Sequence, residues 1–294
     1  MSPQSRAWIQ IHFCVVLWGF TAILGRLITL PALPLVFWRM SLVTLALLLW
    51  PPFWAGVRAL PLRLTAIYLG IGVLVSLHWV TFYASIKLSN ASIAATCMAL
   101  SSIFVSLIEP PMTRRPFNLV DLGLGIAVLP GVALVVGGTP AGMRTGIAVG
   151  AISALLSAVF SVLNKVYIGH SSALAVTGLE MSAGAVLLPL VALLPGTGAV
   201  LVWPSLHDGL YLLALAMACT LLPYSLSLSV LRHLSAFATM LAVNLEPVYS
   251  ILLAAVLLNE QRDLTPRFYL GGALIVVVVL AYPLLSRRFA LRRA

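Results

Sequence analysis

The chain has 294 residues, of which 62% are hydrophobic and 8% charged, with a mean hydropathy of +1.10. Soluble globular domains carry about a quarter charged residues, so this composition excludes a soluble enzyme module and points to one all-helical, polytopic membrane domain. The net charge of +10 sits mostly in short loops between apolar runs, as orientation in a bilayer requires, and implies no nucleic-acid partner.

Apolar windows of about 20 residues, the length that crosses a bilayer, divide the chain into ten expected transmembrane helices: Trp8–Thr29, Pro34–Trp54, Leu64–Ser85, Ala91–Pro110, Leu119–Gly137, Gly146–Tyr167, Leu174–Leu194, Gly209–Leu231, Ala236–Leu258 and Phe268–Leu285. The first follows Arg6 but has no small-residue cleavage site, so it reads as an uncleaved span; Trp18, Thr21 and Gly25 share one of its faces. The second carries Arg39 and the seventh Glu180, each placed to snorkel toward its nearer membrane surface. On the third, Trp79 and Tyr83 share a face and His78 and Phe82 the adjacent one. Interfacial belts account for the Trp and Tyr, but His78 gains nothing from lipid. Turned inward, the cluster offers stacking surface and hydrogen-bond donors to an amphipathic solute.

Ser153, Ser157, Ser161 and Asn164 recur at helical spacing on the sixth span, as either a close-packing stripe or a cavity face. The eighth span aligns Thr220, Tyr224 and Ser227 around Pro223. The ninth holds Thr239, Asn244, Glu246, Pro247 and Ser250. Pro223 and Pro247 each remove a backbone donor, giving either a static kink or a hinge beside a cavity. Glu246 is too central to snorkel, and a carboxylate there costs roughly 2.5–3.5 kcal/mol on insertion scales. It is either a protonated or hydrogen-bonded structural element, or the group that meets a substrate amine or a transported proton.

Links such as Pro51-Pro52, Gly137-Gly138 and Pro195 to Gly198 are short and rich in turn formers. With the amino terminus inside, eleven basic residues fall on the inner side, among them Arg114, Arg115, Arg287, Arg288, Arg292 and Arg293. Five fall outside: Arg26, Lys87, Arg144, Arg262 and Arg267. That bias places both termini in the cytoplasm. Residues 1–140 and 141–294 read as two five-span units: Arg39-Met40-Ser41 lies over Glu180-Met181-Ser182, Lys87 over Arg232, and, in a second register, Ser102 over Pro247 and Phe104 over Tyr249. An odd number of spans per unit inverts the second copy, the plan of secondary transporters with a midplane site.

Leu17-Trp18-Gly19-Phe20 with Arg26, Phe37-Trp38-Arg39-Met40, Asn244-Leu245-Glu246-Pro247-Val248, Leu258-Asn259-Glu260 and Leu270-Gly271-Gly272 together resemble the EamA-type exporters of the drug/metabolite transporter superfamily, and within it the YddG-like exporters of aromatic amino acids. The likeness spans nearly the whole chain. It departs from the usual pattern in the first half, where Ser101-Ser102 replace the expected proline and Arg114-Arg115 stand at the level of Asn259-Glu260. The resemblance implies export of small metabolites, amino acids first, across a bacterial inner membrane by alternating access; drugs or nucleosides are the alternative cargo.

The expected substrate-binding set is His78, Trp79 and Tyr83 for the side chain and Tyr224, Asn244 and Glu246 for the polar end, with Trp18 and Ser157 on inward faces and Pro223 and Pro247 as hinges. A proton is a possible second partner. No metal or cofactor is expected: Cys14, Cys97 and Cys219 lie singly in apolar runs, and metalloprotease, nucleophile-elbow and phosphate-loop motifs are missing. An intramembrane enzyme stands as a second class only because His78 and Glu246 could meet across the bundle.

Overall fold

A computed structural model describes residues 2–194, 198–258 and 265–291, with side chains of the last helix described for Pro266–Val278 and Ala281. Pro195 to Thr197 of one expected link, Asn259 and Glu260 of one motif, Arg262, Arg292 and Arg293, and the side chains of Leu285, Arg287 and Arg288, lie outside the described residues.

The helices of the first part are α1 (Pro3–Leu27), α2 (Ala32–Leu48), α3 (Pro51–Arg58), α4 (Leu62–Leu88), α5 (Ala91–Cys97), α6 (Ser101–Thr113), α7 (Leu119–Ala127) and α8 (Leu129–Gly137). Those of the second are α9 (Arg144–Tyr167), α10 (Ala173–Val191), α11 (Leu206–Ala216), α12 (Leu222–Val230), α13 (Ala236–Val243), α14 (Glu246–Leu258) and α15 (Pro266–Leu291). Many start where a short polar side chain takes up an orphan backbone N–H: Asn90 accepts from Ile93 N at 2.8 Å and Ser235 from Ala238 N at 3.0 Å. Among the described residues there is no strand.

Among the described residues eight helical runs, taking α5–α6, α7–α8, α11–α12 and α13–α14 as continuous, are long and apolar enough to cross a membrane, and α2 with α3 makes a ninth if the bent pair is one span. The pair bends by 89°, so the uninterrupted second span expected over Pro34–Trp54 is not formed. Pro51 and Pro52 have no N–H to extend α2 and force Trp50 into extended backbone (φ −103, ψ 108). Trp54 therefore sits on α3, where its indole donates to the Leu48 carbonyl at 2.9 Å. The tenth expected span falls on α15, whose described apolar stretch, Pro266–Val278, is shorter than the others.

Both candidate hinges lie where the helix is irregular without ending its span. Before Pro223 the backbone widens into a π turn over Met217–Leu221, and α13 gives way to α14 one turn before Pro247. In each case the proline withholds the N–H that would reach the carbonyl four residues back.

Helices from the two parts interleave. α4 lies along α9 and α10, α1 against α12 and α14, α6 against α9, and α8 against α15. Close approach needs glycine at particular crossings: a Cβ on Gly72 would run into the Glu180 backbone, and one on Gly131 would stand 2.8 Å from the Gly271 carbonyl. The exterior carries bare apolar side chains such as Ile9, Leu45, Ile152, Val186 and Val256, whereas Arg39, Glu180, Asn244 and Glu246 are buried. Polar inside and apolar outside is the arrangement a bilayer stabilises.

Candidate functional site

Where α1, α2, α4, α9, α12, α13 and α14 converge they enclose a cavity with about 780 Å³ of atom-free space including its mouth, of which about 90 Å³ admits the centre of a water molecule. It is therefore narrow, and six of its nineteen lining residues carry rings. Trp18 comes from α1, His78, Trp79 and Phe82 from α4, Phe160 from α9 and Tyr224 from α12. Ring centroids are 5.3 Å apart for His78 and Phe160, 6.2 Å for His78 and Phe82, and 6.0 Å edge-on for Trp79 and Tyr224, within the favourable range for such pairs.

Of the expected substrate-binding residues, Trp18, His78, Trp79, Ser157, Tyr224 and Glu246 line this one space, and Tyr83 and Asn244 do not. Tyr83 is fully buried behind the wall, its hydroxyl accepting from Arg39 Nη1 at 2.9 Å while its ring fills the notch left by Gly25. Asn244 turns toward the first half and donates from Nδ2 to Ser102 Oγ at 3.0 Å. The serines that take the place of a proline in α6 are thus the docking point for the motif asparagine.

His78 is held on two sides. Its Nδ1 lies 2.9 Å from the Ser153 carbonyl and 2.8 Å from Ser153 Oγ, so in the tautomer with its hydrogen on Nδ1 the ring donates to that carbonyl. Ser153 Oγ returns a bond to the His78 carbonyl at 2.9 Å. The polar stripe of α9 therefore faces inward. Ser153 fixes His78, Ser157 and Ser161 line the cavity beside Met240, and Asn164 reaches the next layer.

That layer centres on Glu180, which is fully buried rather than snorkelled inward. Its Oε2 accepts from the Tyr224 hydroxyl and from Asn164 Nδ2 at 3.4 Å. Its Oε1 and the Asn164 Oδ1 are buried with no hydrogen-bond partner. The seventh span crosses α4 at the glycine notch, so its carboxylate has no route to the surface.

Arg39 does not snorkel outward either. It is 2% exposed, lines the cavity, donates from Nε to Thr220 Oγ1 at 2.7 Å, and carries its guanidinium carbon 3.7 Å above the Trp79 ring. The π turn beside Pro223 brings Thr220 there, and Thr220 Oγ1 itself donates to the Leu215 carbonyl at 2.6 Å. Sequence reasoning missed Arg39 as a cavity residue, although its depth was readable. Seven residues beyond the start of α2, at 1.5 Å rise each, put it about 10 Å along the helix. It also missed Phe160 and Met98 as cavity-lining residues, since Met and Phe on an apolar span carry no distinguishing signal.

Glu246 lines the cavity at 6% exposure, and no hydrogen bond or ion pair to it occurs among the described residues. Among those residues there is also no group of three or more His, Cys, Asp or Glu that could hold a metal ion.

The model of the EamA-like transporter family matches this chain twice, over residues 6–137 and 144–282. The chain belongs to that family. It is a multi-pass membrane transporter of the drug/metabolite superfamily, and a central cavity that combines rings with buried polar groups inside an apolar exterior fits a carrier of small molecules. This family member is also similar in fold to a crystal structure of another protein, 19% identical, with a TM-score of 0.71 over 97% of this chain and 99% of that one. No curated protein matches the chain.

Two further carboxylate contacts join the parts through residues that do not line this cavity. Asp208, at the start of α11, accepts from Thr29 N at 2.8 Å and from Thr29 Oγ1 at 2.6 Å, next to the end of α1. Glu109, on α6, accepts from Ala236 N at 2.9 Å and Phe237 N at 2.7 Å, the first amides of α13. A carboxylate at a helix start meets both orphan donors and the positive end of the helix dipole.

Proposed function

We propose that this protein is a secondary exporter of amino acids, aromatic and other apolar ones favoured, that works by alternating access in a bacterial inner membrane. The observation that carries the reading is the aromatic cavity with an unpartnered carboxylate, Glu246, on its wall. Six rings supply stacking and apolar surface for a side chain, and the carboxylate supplies a partner for an ammonium group. The resemblance of the motifs to YddG-like exporters points the same way.

In this reading residues 1–140 and 141–294 are inverted five-span repeats, ten spans in all, with both termini in the cytoplasm. The double family match and the interleaving of the two parts support the repeat plan, and the basic residues support the orientation. Thr29–Asp208 then lies at the outer end of the bundle and Glu109–α13 at the inner end. The halves rock about the irregular turns before Pro223 and Pro247, opening one end at a time. Trp18, His78, Trp79, Tyr224 and Glu246 contact cargo; Tyr83 and Asn244 act behind them.

Counterflow in proteoliposomes tests the reading. Labelled phenylalanine should accumulate transiently against preloaded unlabelled phenylalanine and saturate with concentration. Exchange of nucleosides in place of amino acids would overturn the cargo assignment. An imposed pH difference that drives uphill flux in the native protein and fails in Glu246→Gln identifies a coupled proton.

A further inference from the structure

A guanidinium carries five N–H groups, and on Arg39 the fold uses two: Nε on Thr220 and one hydrogen of Nη1 on Tyr83. The side chain is 2% exposed and lines the cavity, yet no carboxylate bonds or pairs with it among the described residues. Glu246 is its mirror image: 6% exposed, on the same wall, and equally without a hydrogen bond or ion pair. A buried charge that is neither paired nor fully hydrogen-bonded is costly. Here an acidic and a basic group line one space and form no ion pair.

Thr220, Tyr83 and the face of Trp79 hold the guanidinium, and Glu246 is set by the start of α14. A cavity for neutral or purely cationic solutes would gain nothing from Arg39 and would be penalised for desolvating it. A solute that brings a carboxylate and an ammonium on one short frame satisfies both groups at once, and an apolar side chain on that frame fits the aromatic wall. Preorganised charges of this kind discriminate strongly, because an analogue lacking one end leaves a protein group buried and unmet.

We propose that Arg39 and Glu246 are specificity-determining residues that read opposite ends of a zwitterion: the free guanidinium N–H groups bind the substrate carboxylate and Glu246 binds its ammonium. Tyr83 and Thr220 are positioning residues that aim the guanidinium. The inference rests on the reading of the cavity as that of an amino-acid carrier and adds which residue meets which charge.

The test uses the full chain in proteoliposomes, with labelled phenylalanine counterflow inhibited by unlabelled phenylalanine, by phenethylamine, which lacks the carboxylate, or by 3-phenylpropionate, which lacks the ammonium. For the native protein each analogue should need at least about tenfold more to inhibit than phenylalanine does. Arg39→Gln should lose its preference over phenethylamine while keeping that over 3-phenylpropionate, and Glu246→Gln should do the reverse, a crossing that loss of packing does not produce. Phenylalanine flux inhibited equally by either analogue would overturn the inference and leave the carrier reading standing. Failure to carry phenylalanine or any other amino acid would overturn both. The native comparison decides even if a variant fails to fold.

Discussion

At the scale of single residues, the most informative side chains are those whose hydrogen bonds do not balance. Glu180 Oε1 and Asn164 Oδ1 are two buried acceptors without a donor. An amide in place of the carboxyl keeps an oxygen for the Tyr224 hydroxyl and removes the unpartnered carboxylate oxygen. Glu180→Gln should therefore be neutral or raise the melting temperature in detergent, whereas Glu180→Ala should lose about 1–3 kcal/mol by stranding the Tyr224 hydroxyl. Thermal unfolding of the two purified variants checks this. The same accounting explains what could be read in the sequence here. His78 and Glu246 were visible as cavity residues because a polar group amid lipid-compatible neighbours needs a polar environment. The roles of Tyr83 and Asn244 were not visible, because which side of a helix touches the cavity and which touches another helix depends on partners distant in sequence, Arg39 and Ser102. Arg39 and Glu180 were misread for a related reason: snorkelling is a property of an isolated helix, and these helices are walled in.

At the scale of elements, span positions were legible because length and hydropathy determine them, and the interruptions were legible only where proline marks them. Pro51-Pro52 did signal a turn, but the flanking Trp50, Phe53 and Trp54 are apolar enough to carry a hydropathy window past it. The crossings between helices are the other element-scale property. Gly72 meets the Glu180 backbone on α10 with no room for a side chain, so Gly72→Leu should force α4 and α10 apart, at a cost of about 1–3 kcal/mol or more for overpacking, and lower both melting temperature and flux. The Asp208 and Glu109 contacts differ from these crossings, because in the proposed alternating-access cycle they break as cargo passes. Removing a carboxylate from such a contact should shift the balance toward the open form by about tenfold, the equivalent of one charge-assisted hydrogen bond. Measured as labelling of a Ser157→Cys cavity thiol by a membrane-impermeant maleimide, Asp208→Ala should increase access from its own face of the membrane and Glu109→Ala from the opposite face. The native Cys14, Cys97 and Cys219 are buried and give a low background.

At the scale of the whole molecule, the fold combines interleaved packing of its two parts with a site to which both contribute. Of the residues that touch the cavity, Arg39 and Trp79 come from the first part and Tyr224 and Glu246 from the second, so neither part alone presents the charges and rings together. The sequence could show that two similar units exist, but not how they dock, since that depends on notches such as Gly72 whose partners lie more than a hundred residues away. Each part also binds the other through one carboxylate, Asp208 on Thr29 and Glu109 on the α13 amides. Neither is an ion pair, so screening has little to act on. Transport at saturating substrate should stay nearly constant when salt is raised from 0.05 M to about 0.5 M, and a steep decline in counterflow rate would place charge pairing at the gates instead. The Glu109 contact has a further consequence for genetics. A substitution can delete the Glu109 carboxylate, but the peptide N–H groups it binds belong to every residue except proline, so no charge exchange at 236 or 237 can restore a lost partner. Revertants of a Glu109 variant must therefore arise elsewhere, by weakening the opposite end until the two faces of the carrier are again in balance.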